Sequence, residues 1–314
     1  MNKVAFVFPG QGSQQIDMGQ DVAAKYPEAK SIYNIADQRL GFSLTQLITE
    51  GPIEELTKSE NAQPALVSTS IAILKALESY GVKADYVAGH SLGEYSALVA
   101  AGVLTFSDAV YLVHRRGELM EEAVPNGTGE MAAVLGMEAD AIEAVTSEVS
   151  AGGDTVQIAN YNSPGQIVIS GTASGIAKGT EKLKEKGAKR VIPLAVSGPF
   201  HSKLMKPAAE AFVSVLEEVT LKDGAVPIVS NVDVSFTTDP SNVREKLIRQ
   251  IYSPVKWEQT ITALVDAGVD TFVEIGAGKV LSGLIKKINR DVTILSANDV
   301  ESIKQVAEQL KEGK

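Results

Sequence analysis

The residues with the clearest chemical potential lie in the pentapeptide Gly89-His90-Ser91-Leu92-Gly93. It has the G-x-S-x-G spacing of a nucleophile elbow, a sharp turn between a strand and a helix that exposes a serine hydroxyl. Apolar residues at 86–88 predict the strand, and the pattern of residues 92–101 predicts the helix. We therefore expect Ser91 to be a nucleophile above a helix N-terminus, where backbone N–H groups and the helix dipole stabilise an oxyanion. The alternative is a surface-loop serine whose glycines only turn the chain.

A histidine base for Ser91 must be one of three, because the chain contains only His90, His114 and His201. His90 is adjacent to the serine on a tight turn, where neighbouring side chains point apart, so it is predicted to be structural. His114 lies within a predicted helix, and a lone histidine there is expected to be a packing residue. His201 follows the irregular segment Ser197-Gly198-Pro199-Phe200, and catalytic side chains favour such loops. Elimination thus favours His201 as the base.

Arg116 is the candidate cation of the site. The helix predicted over 106–123 has an apolar stripe that includes Val113, Gly117 and Met120, and at ~100° per residue Arg116 falls on its edge. Arg115 falls on the opposite, charged face. We expect Arg116 to be half-buried and to require an anion. That anion is either a structural carboxylate or a substrate carboxylate held bidentately.

Composition excludes several other chemistries. There is no cysteine, which excludes disulfides, thiolate metal sites and cysteine nucleophiles. The net charge of −10 argues against nucleic acid or anionic membrane as a partner. The glycine-rich segments 10–15 and 276–279 lack the spacing of dinucleotide and phosphate loops, and no side chains have metal-ligand spacing. Without a signal peptide or a membrane-spanning stretch in the sequence, we expect a cytoplasmic protein.

The elements that must position these residues predict an α/β fold. A buried strand at 4–8 is followed by helical patterns, the clearest over 62–80 with Asn61 as its cap, and strands and helices then alternate as in a parallel sheet. Between the turns at Asn126-Gly127 and Ser197-Gly198 the order is β-α-β-β-α-β, a ferredoxin-like unit. We therefore predict an α/β-hydrolase-like catalytic subdomain, 1–126 and 198–314, with an inserted ferredoxin-like subdomain, 127–197.

The chain resembles the malonyl-CoA:acyl carrier protein transacylase family over nearly its whole length. The marks of this resemblance are Phe8-Pro9-Gly10-Gln11-Gly12-Ser13-Gln14, Gly89-His90-Ser91-Leu92-Gly93-Glu94, Arg115-Arg116-Gly117, Asn160-Tyr161-Asn162-Ser163-Pro164-Gly165-Gln166, Gly198-Pro199-Phe200-His201-Ser202, Gln250-Ile251-Tyr252-Ser253-Pro254-Val255-Lys256-Trp257 and Glu274-Ile275-Gly276-Ala277-Gly278-Lys279. Ala277 stands where the family often has proline, in a turn remote from the catalytic motifs.

The resemblance implies a role for each matching residue. Ser91 is the acylated nucleophile and His201 its base, and the backbone carbonyl of Gln250 orients His201 in place of a triad carboxylate. The backbone N–H groups of Gln11 and Leu92 form the oxyanion hole, and Arg116 binds the malonyl carboxylate. Phe200 matches the family members that accept malonyl and not methylmalonyl groups. Asn160 and Asn162 lie near the cleft between the subdomains. We also expect Met120 to contact the substrate.

The implied activity is ping-pong transfer of malonyl from malonyl-CoA, through a malonyl-serine ester, to the phosphopantetheine thiol of acyl carrier protein in fatty-acid synthesis. No cofactor is needed, and a monomer is expected. The sequence does not distinguish a fatty-acid carrier from a polyketide carrier. A serine hydrolase such as a thioesterase and a non-catalytic carrier-docking module are the competing hypotheses.

An acidic carrier would require a local basic surface on this acidic chain. Two clusters could supply it. One comprises Lys182, Lys184, Lys186, Lys189 and Arg190, and the other comprises Lys279, Lys286, Lys287 and Arg290.

Overall fold

The computed structural model describes residues 3–125 and 127–312, which form two sheets covered by helices. The strands are β1 (Lys3–Phe8), β2 (Tyr86–Gly89), β3 (Gly129–Leu135), β4 (Val156–Ser163), β5 (Gln166–Thr172), β6 (Arg190–Pro193), β7 (Ile228–Val229), β8 (Phe236–Thr237), β9 (Val255–Lys256), β10 (Val269–Ile275) and β11 (Thr293–Ala297). The helices are α1 (Gln20–Lys25), α2 (Pro27–Leu40), α3 (Leu44–Glu50), α4 (Ile53–Thr57), α5 (Ser59–Glu78), α6 (Gly93–Ala100), α7 (Phe106–Glu122), α8 (Ala139–Ala151), α9 (Ala173–Glu185), α10 (Lys206–Glu217), α11 (Pro240–Gln250), α12 (Trp257–Asp266), α13 (Val280–Ile288) and α14 (Val300–Glu312).

The first sheet has the strand order β11-β10-β1-β2-β7-β8. All its pairings are parallel except that of β7 with β8. The central strand β1 is buried from Val4 to Phe8, as expected where helices cover both faces of a parallel sheet. Because β1 and β2 are parallel neighbours, the loops that carry Gln11 and Ser91 leave the same edge of the sheet. Ligands of such sheets bind outside the carboxyl ends of the strands.

The second sheet has the order β6-β3-β5-β4-β9. Strands β3 to β6 pair antiparallel and, with α8 and α9, follow the predicted β-α-β-β-α-β sequence. The short strand β9 lies beside β4 in parallel, so the segment after Gln250 joins this sheet. The α/β fold with parallel strands is confirmed, whereas the predicted turn residue Asn126 lies outside the described residues.

Several local predictions differ from the structure. Helix α5 begins at Ser59, so Asn61 lies inside it and is not its cap; the N-cap position is Lys58. The apolar residues at 191–196 predict a strand over that whole segment, whereas β6 ends at Pro193. Strands β8 and β9 were not predicted, because short edge strands carry little periodic signal. No elements were predicted after β10 either, although α13 and α14 each have the apolar face of an amphipathic helix.

Helix α5 is buried on nearly all sides, and it packs against α7. Its apolar character around the whole circumference is typical of a central core helix. This packing brings Gln63 on α5 against Arg116 on α7. Over the described residues, no helix is both long and apolar enough to span a bilayer.

Candidate active site

The turn after β2 has the geometry of a nucleophile elbow. A Cβ atom built on Gly89 would lie 1.9 Å from the backbone carbon of Gly93, and one on Gly93 would lie 2.2 Å from the carbonyl oxygen of Phe8. Only glycine tolerates such close backbone approach. The spacing noted in the sequence is therefore a steric requirement of this turn, which places Ser91 between β2 and α6.

Ser91 and His201 form a hydrogen-bonded pair. Ser91 Oγ lies 2.7 Å from His201 Nε2, and His201 Nδ1 donates a hydrogen bond of 2.8 Å to the backbone carbonyl of Gln250. Because that carbonyl can only accept, the proton is on Nδ1 and the lone pair of Nε2 faces the serine hydroxyl. The imidazole is thus held in the tautomer that a general base requires.

Both members of this pair have unusual backbone conformations. Ser91 has φ 51° and His201 has φ 57°, in the left-handed region that residues other than glycine rarely adopt. Such conformations cost about 1–3 kcal/mol each and persist where the surrounding structure imposes them. The strain lies at the two residues whose side chains meet, although nothing in the sequence at His201 predicted it.

The other two histidines do not pair with Ser91. His90 Nε2 donates to Asn162 Oδ1 at 2.8 Å, and its ring packs against Trp257. His114 Nδ1 donates to the carbonyl of Glu60 at 2.7 Å. These hydrogen bonds orient both rings toward partners other than Ser91.

Two backbone N–H groups near Ser91 are free to bind an oxyanion. Gln11, in the loop after β1, lines the same cavity as Ser91, and Leu92 is the N-cap position of α6. Among residues 3–125 and 127–312, no protein acceptor binds the backbone N–H of either residue. Free N–H groups at a helix N-terminus suit a developing negative charge.

Arg116 is completely buried, with 1% of its surface exposed, and not half-buried as its place on the stripe edge had predicted. Its Nη1 donates to Gln63 Oε1 at 2.7 Å, and its Nη2 donates to Gln250 Oε1 at 3.0 Å and to Ser91 Oγ at 3.3 Å. The guanidinium also lies over the Tyr95 ring, 5.7 Å from its centroid. Among the described residues no carboxylate forms a salt bridge with Arg116, and Glu94, the acidic residue whose pKa its charge lowers, is linked to it only through Gln250.

A cavity of about 530 Å³ opens at this group of residues. Of the predicted site residues, the ones that line it are Gln11, Ser91, Arg116, Met120, Asn160, Phe200 and His201. Asn162 instead contacts His90, and Leu92 and Gln250 lie behind the lining. Within the described part of the chain, no group of three or more histidine or acidic side chains is placed to hold a metal ion.

Burial sets the charges of the site. Desolvation, and after it the nearby Arg116 charge, lower the pKa of His201 to about 3, so the imidazole is neutral near pH 7. Desolvation raises the pKa of Glu94 to about 7, against hydrogen bonds from Gln250 and Asn231 and the charges of Arg116 and Lys246. Glu94 follows the elbow directly, and its side chain is 3% exposed.

The raised pKa of Glu94 predicts a pH-dependent stability. The folded protein retains this proton to a higher pH than the unfolded chain, whose ordinary value is 4.5, so the stabilisation is present below pH 4.5 and lost as the pH rises to about 7. We expect Glu94→Gln to gain about 2.5 kcal/mol relative to the parent between pH 5 and pH 8. Urea unfolding at both pH values measures this difference. Parallel stability curves for the two proteins would contradict it, and the exposed Glu217→Gln is the matched control.

Three residues that the sequence analysis did not assign complete the site. Gln63 orients Arg116, Asn231 accepts from the backbone N–H of Ser91 in the elbow, and Glu94 accepts from the backbone N–H of Asn231. Glu94 was visible in the sequence as part of the elbow motif, but without a role. Gln63 and Asn231 carried no signal, because each meets its partner only through tertiary packing.

Comparison with known proteins agrees with this geometry. The family described as acyl transferase domain matches residues 5–312. Over 312 residues, the chain is 55% identical to a malonyl CoA-acyl carrier protein transacylase of Bacillus subtilis (strain 168), covering 99% of this chain and 98% of that protein.

Solved structures give the same result. The crystal structure of an acyl carrier protein S-malonyltransferase from Vibrio cholerae O1 biovar eltor superposes with a TM-score of 0.95 at 43% identity, covering 97% of this chain and 100% of that one. A malonyl-transacylase in complex with its type II PKS acyl-carrier protein superposes with a TM-score of 0.95 at 42% identity, covering 98% and 100%. The chain therefore belongs to the acyl transferase domain family, and the malonyl CoA-acyl carrier protein transacylases of that family are the proteins that it resembles over nearly its whole length.

Proposed function

We propose that this protein transfers the malonyl group of malonyl-CoA to the phosphopantetheine thiol of acyl carrier protein. The observation that carries the proposal is the buried guanidinium of Arg116, which forms no salt bridge among the described residues and lies 3.3 Å from the hydroxyl of a serine–histidine pair. A hydrolase of neutral acyl groups has no use for such a cation. A thioester that carries a carboxylate supplies its partner and places its carbonyl carbon at Ser91.

The first half-reaction acylates the serine. His201 Nε2 takes the Ser91 Oγ proton while Oγ attacks the thioester carbonyl carbon. The carbonyl electrons move to oxygen, where the N–H groups of Gln11 and Leu92 donate to the oxyanion. The oxyanion then collapses, the carbon–sulfur bond breaks, and His201 returns its proton to the leaving coenzyme A thiolate.

The second half-reaction reverses these steps with the carrier thiol. His201 takes the thiol proton, the sulfur attacks the ester carbonyl of malonyl-Ser91, and Ser91 Oγ leaves with the proton from His201. The Gln250 carbonyl stabilises the imidazolium in both halves, in the place of a triad carboxylate. Side chains and backbone supply every group used, so the proposed reaction needs no cofactor.

Arg116 supports selectivity for malonyl in two ways. An acetyl group would leave the buried guanidinium unpaired, and sites of this kind can discriminate by about 10⁴-fold. In addition, the Arg116 charge lowers the pKa of His201, so pairing with the malonyl carboxylate strengthens the base in the presence of the correct substrate. The bulk of Phe200, which lines the cavity, occupies space that an α-methyl group would need.

Mass spectrometry after mixing the protein with malonyl-CoA tests the function. We expect a malonyl adduct on Ser91 that transfers to holo acyl carrier protein. Prompt release of free malonate would favour the thioesterase, and the absence of any adduct would leave only the docking module.

We also propose a cellular location, an oligomeric state and a division into subdomains for this enzyme. We place it in the cytoplasm as a monomer that supplies fatty-acid synthesis, with residues 1–126 and 198–314 as the catalytic subdomain and 127–197 as the inserted one. The position of His201 just after the insertion, opposite Ser91 on the first sheet, supports a cleft between the two subdomains as the site of reaction.

We further propose that the carrier docks where the two basic clusters meet. Leu135 pairs with Arg190 on one side and with Gln166 on the other, and Lys287 Nζ donates to Gln166 Oε1 at 2.9 Å. Lys182 and Lys186 already contact Glu148. Arg190 and Lys287 are both exposed. Leu194, which lines the cavity, follows Arg190 by four residues, and four residues of extended chain span about 13 Å. The proposed docking surface therefore lies close to the cavity.

Charge reversal at this docking surface is expected to weaken carrier binding without affecting acylation. For the double variant Arg190→Glu and Lys287→Glu, we expect the KM for acyl carrier protein to rise about ten-fold and to depend less on salt. The rate of malonyl-CoA acylation should not change. Exposed Lys222→Glu, in the loop between α10 and β7, is the control, and an equal effect of that variant would contradict the proposed surface.

A further inference from the structure

Asn231 bridges the two sides of the nucleophile elbow. This residue follows β7 and is completely buried. Its Oδ1 accepts from the backbone N–H of Ser91 at 2.7 Å, and its Nδ2 donates to the carbonyl of Gly89 at 2.7 Å. One side chain therefore joins the residue before the turn to the residue at its apex.

Glu94 connects Asn231 to the helix end that carries Gln250. Its Oε2 accepts from the backbone N–H of Asn231 at 3.2 Å and from Gln250 Nε2 at 2.7 Å. Gln250 Nε2 also donates to the backbone carbonyl of Ser91 at 3.0 Å. The N–H and the carbonyl of Ser91 are thus each held by a buried amide side chain.

A second connection secures the loop that carries Asn231. Lys246 on α11 is 5% exposed and forms an ion pair of 3.2 Å with Asp233 in that loop. Helix α11 ends at Gln250, whose carbonyl oxygen accepts from His201. The same set of contacts therefore positions both the nucleophile and the base.

This arrangement bears on catalysis because Ser91 has a strained backbone. With φ 51° the turn costs about 1–3 kcal/mol and relaxes unless other contacts maintain it. Relaxation would displace Oγ from His201 Nε2 and redirect the Leu92 N–H. A displacement of about 1 Å can cost about 10²-fold in rate.

We propose that Asn231 and Glu94 are positioning residues for acyl transfer, which hold the strained turn of Ser91 against the helix end that presents Gln250 to His201. Neither side chain lines the cavity, so neither touches the substrate. The inference rests on the proposed function, because it concerns the rate at which Ser91 is malonylated.

The test compares Asn231→Ala with Asn298→Ala in the full-length protein. Asn298 also bridges two segments, through Gly278 and Ser302, but it forms no hydrogen bond with a residue of the site. We expect Asn231→Ala to slow single-turnover malonylation of Ser91 about 10²-fold with the KM for malonyl-CoA within about two-fold of the parent, and Asn298→Ala to leave both unchanged. A folded Asn231→Ala that reacts within about three-fold of the parent overturns the inference. A parent that forms no malonyl adduct overturns the proposed function instead.

Glu94 provides a second test, which also decides the matter if Asn231→Ala does not fold. Glu94→Gln retains an acceptor oxygen for Gln250 and Asn231, whereas Glu94→Leu removes it. We expect Glu94→Gln to malonylate Ser91 within about five-fold of the parent and Glu94→Leu to be slower by about 10²-fold. Equal rates for these two variants overturn the role of Glu94, because hydrogen bonding would then be irrelevant to the rate.

Discussion

Ser91→Ala is expected to abolish the malonyl adduct and to lower malonyl transfer by roughly 10⁵-fold or more, because the group that forms the ester is removed. The loss should be this large because Ser91 and His201 act as one hydrogen-bonded unit, 2.7 Å apart. Mass spectrometry with malonyl-CoA and transfer to holo acyl carrier protein measure the two effects. An adduct of unchanged yield on the alanine variant would place the nucleophile elsewhere.

A matched control exists on the same helix. Ser96 lies on α6, is buried, and has no hydrogen-bond partner for its hydroxyl among the described residues. Ser96→Ala should therefore react as the parent does. The double variant Ser91→Ala and His201→Ala should be no slower than Ser91→Ala alone, since the effects of residues that act together are not additive.

Arg116→Ala is expected to lower kcat/KM for malonyl-CoA by about 10³-fold, the loss that follows when one partner of a buried charge pair is removed. For acetyl-CoA we expect a change of less than about ten-fold, because acetyl has no carboxylate to bind Arg116. Steady-state transfer of both thioesters measures the difference. Equal losses for the two substrates would refute the carboxylate role.

The neighbouring arginine supplies the control for this experiment. Arg115 is more than a third exposed and pairs with Glu118 on the surface of the same helix. Arg115→Ala should leave both activities unchanged, since exposed pairs of this kind contribute at most about 1 kcal/mol. Comparing the two variants thus distinguishes the effect of removing a buried charge from the effect of removing an exposed one.

The features that the sequence predicted well are those with short-range causes. The elbow could be recognised because strand, turn and helix are consecutive, and the collision that requires Gly89 involves Gly93 and Glu94, which follow it closely in the chain. The alternation of strands and helices predicted the α/β fold for the same reason. Helix α5 was predicted from its apolar pattern, but its start was misplaced by three residues, because three polar residues precede that pattern.

The burial and the partners of Arg116 could not be predicted from local sequence patterns. Its place on the helix predicted partial burial and an anionic partner, whereas the structure buries it completely against the amides of Gln63 and Gln250. Helical periodicity describes one helix, and it contains no information about how closely α5 and the end of α11 approach. Burial of a charge is decided by those neighbours.

The sequence by itself identified Ser91 as the candidate nucleophile, limited the candidate histidine bases to three, and excluded cysteine chemistry, because these depend on residue type and local spacing. Only the tertiary structure decided that His201 faces Ser91 across 110 positions of the chain, and that Asn231, 140 positions away, holds the turn. It also brought Arg190 and Lys287 to the same edge of the second sheet. The physical reason is that hydrogen bonds and charges act over a few ångströms in space, and only packing of the sheets and helices brings such distant residues within that range.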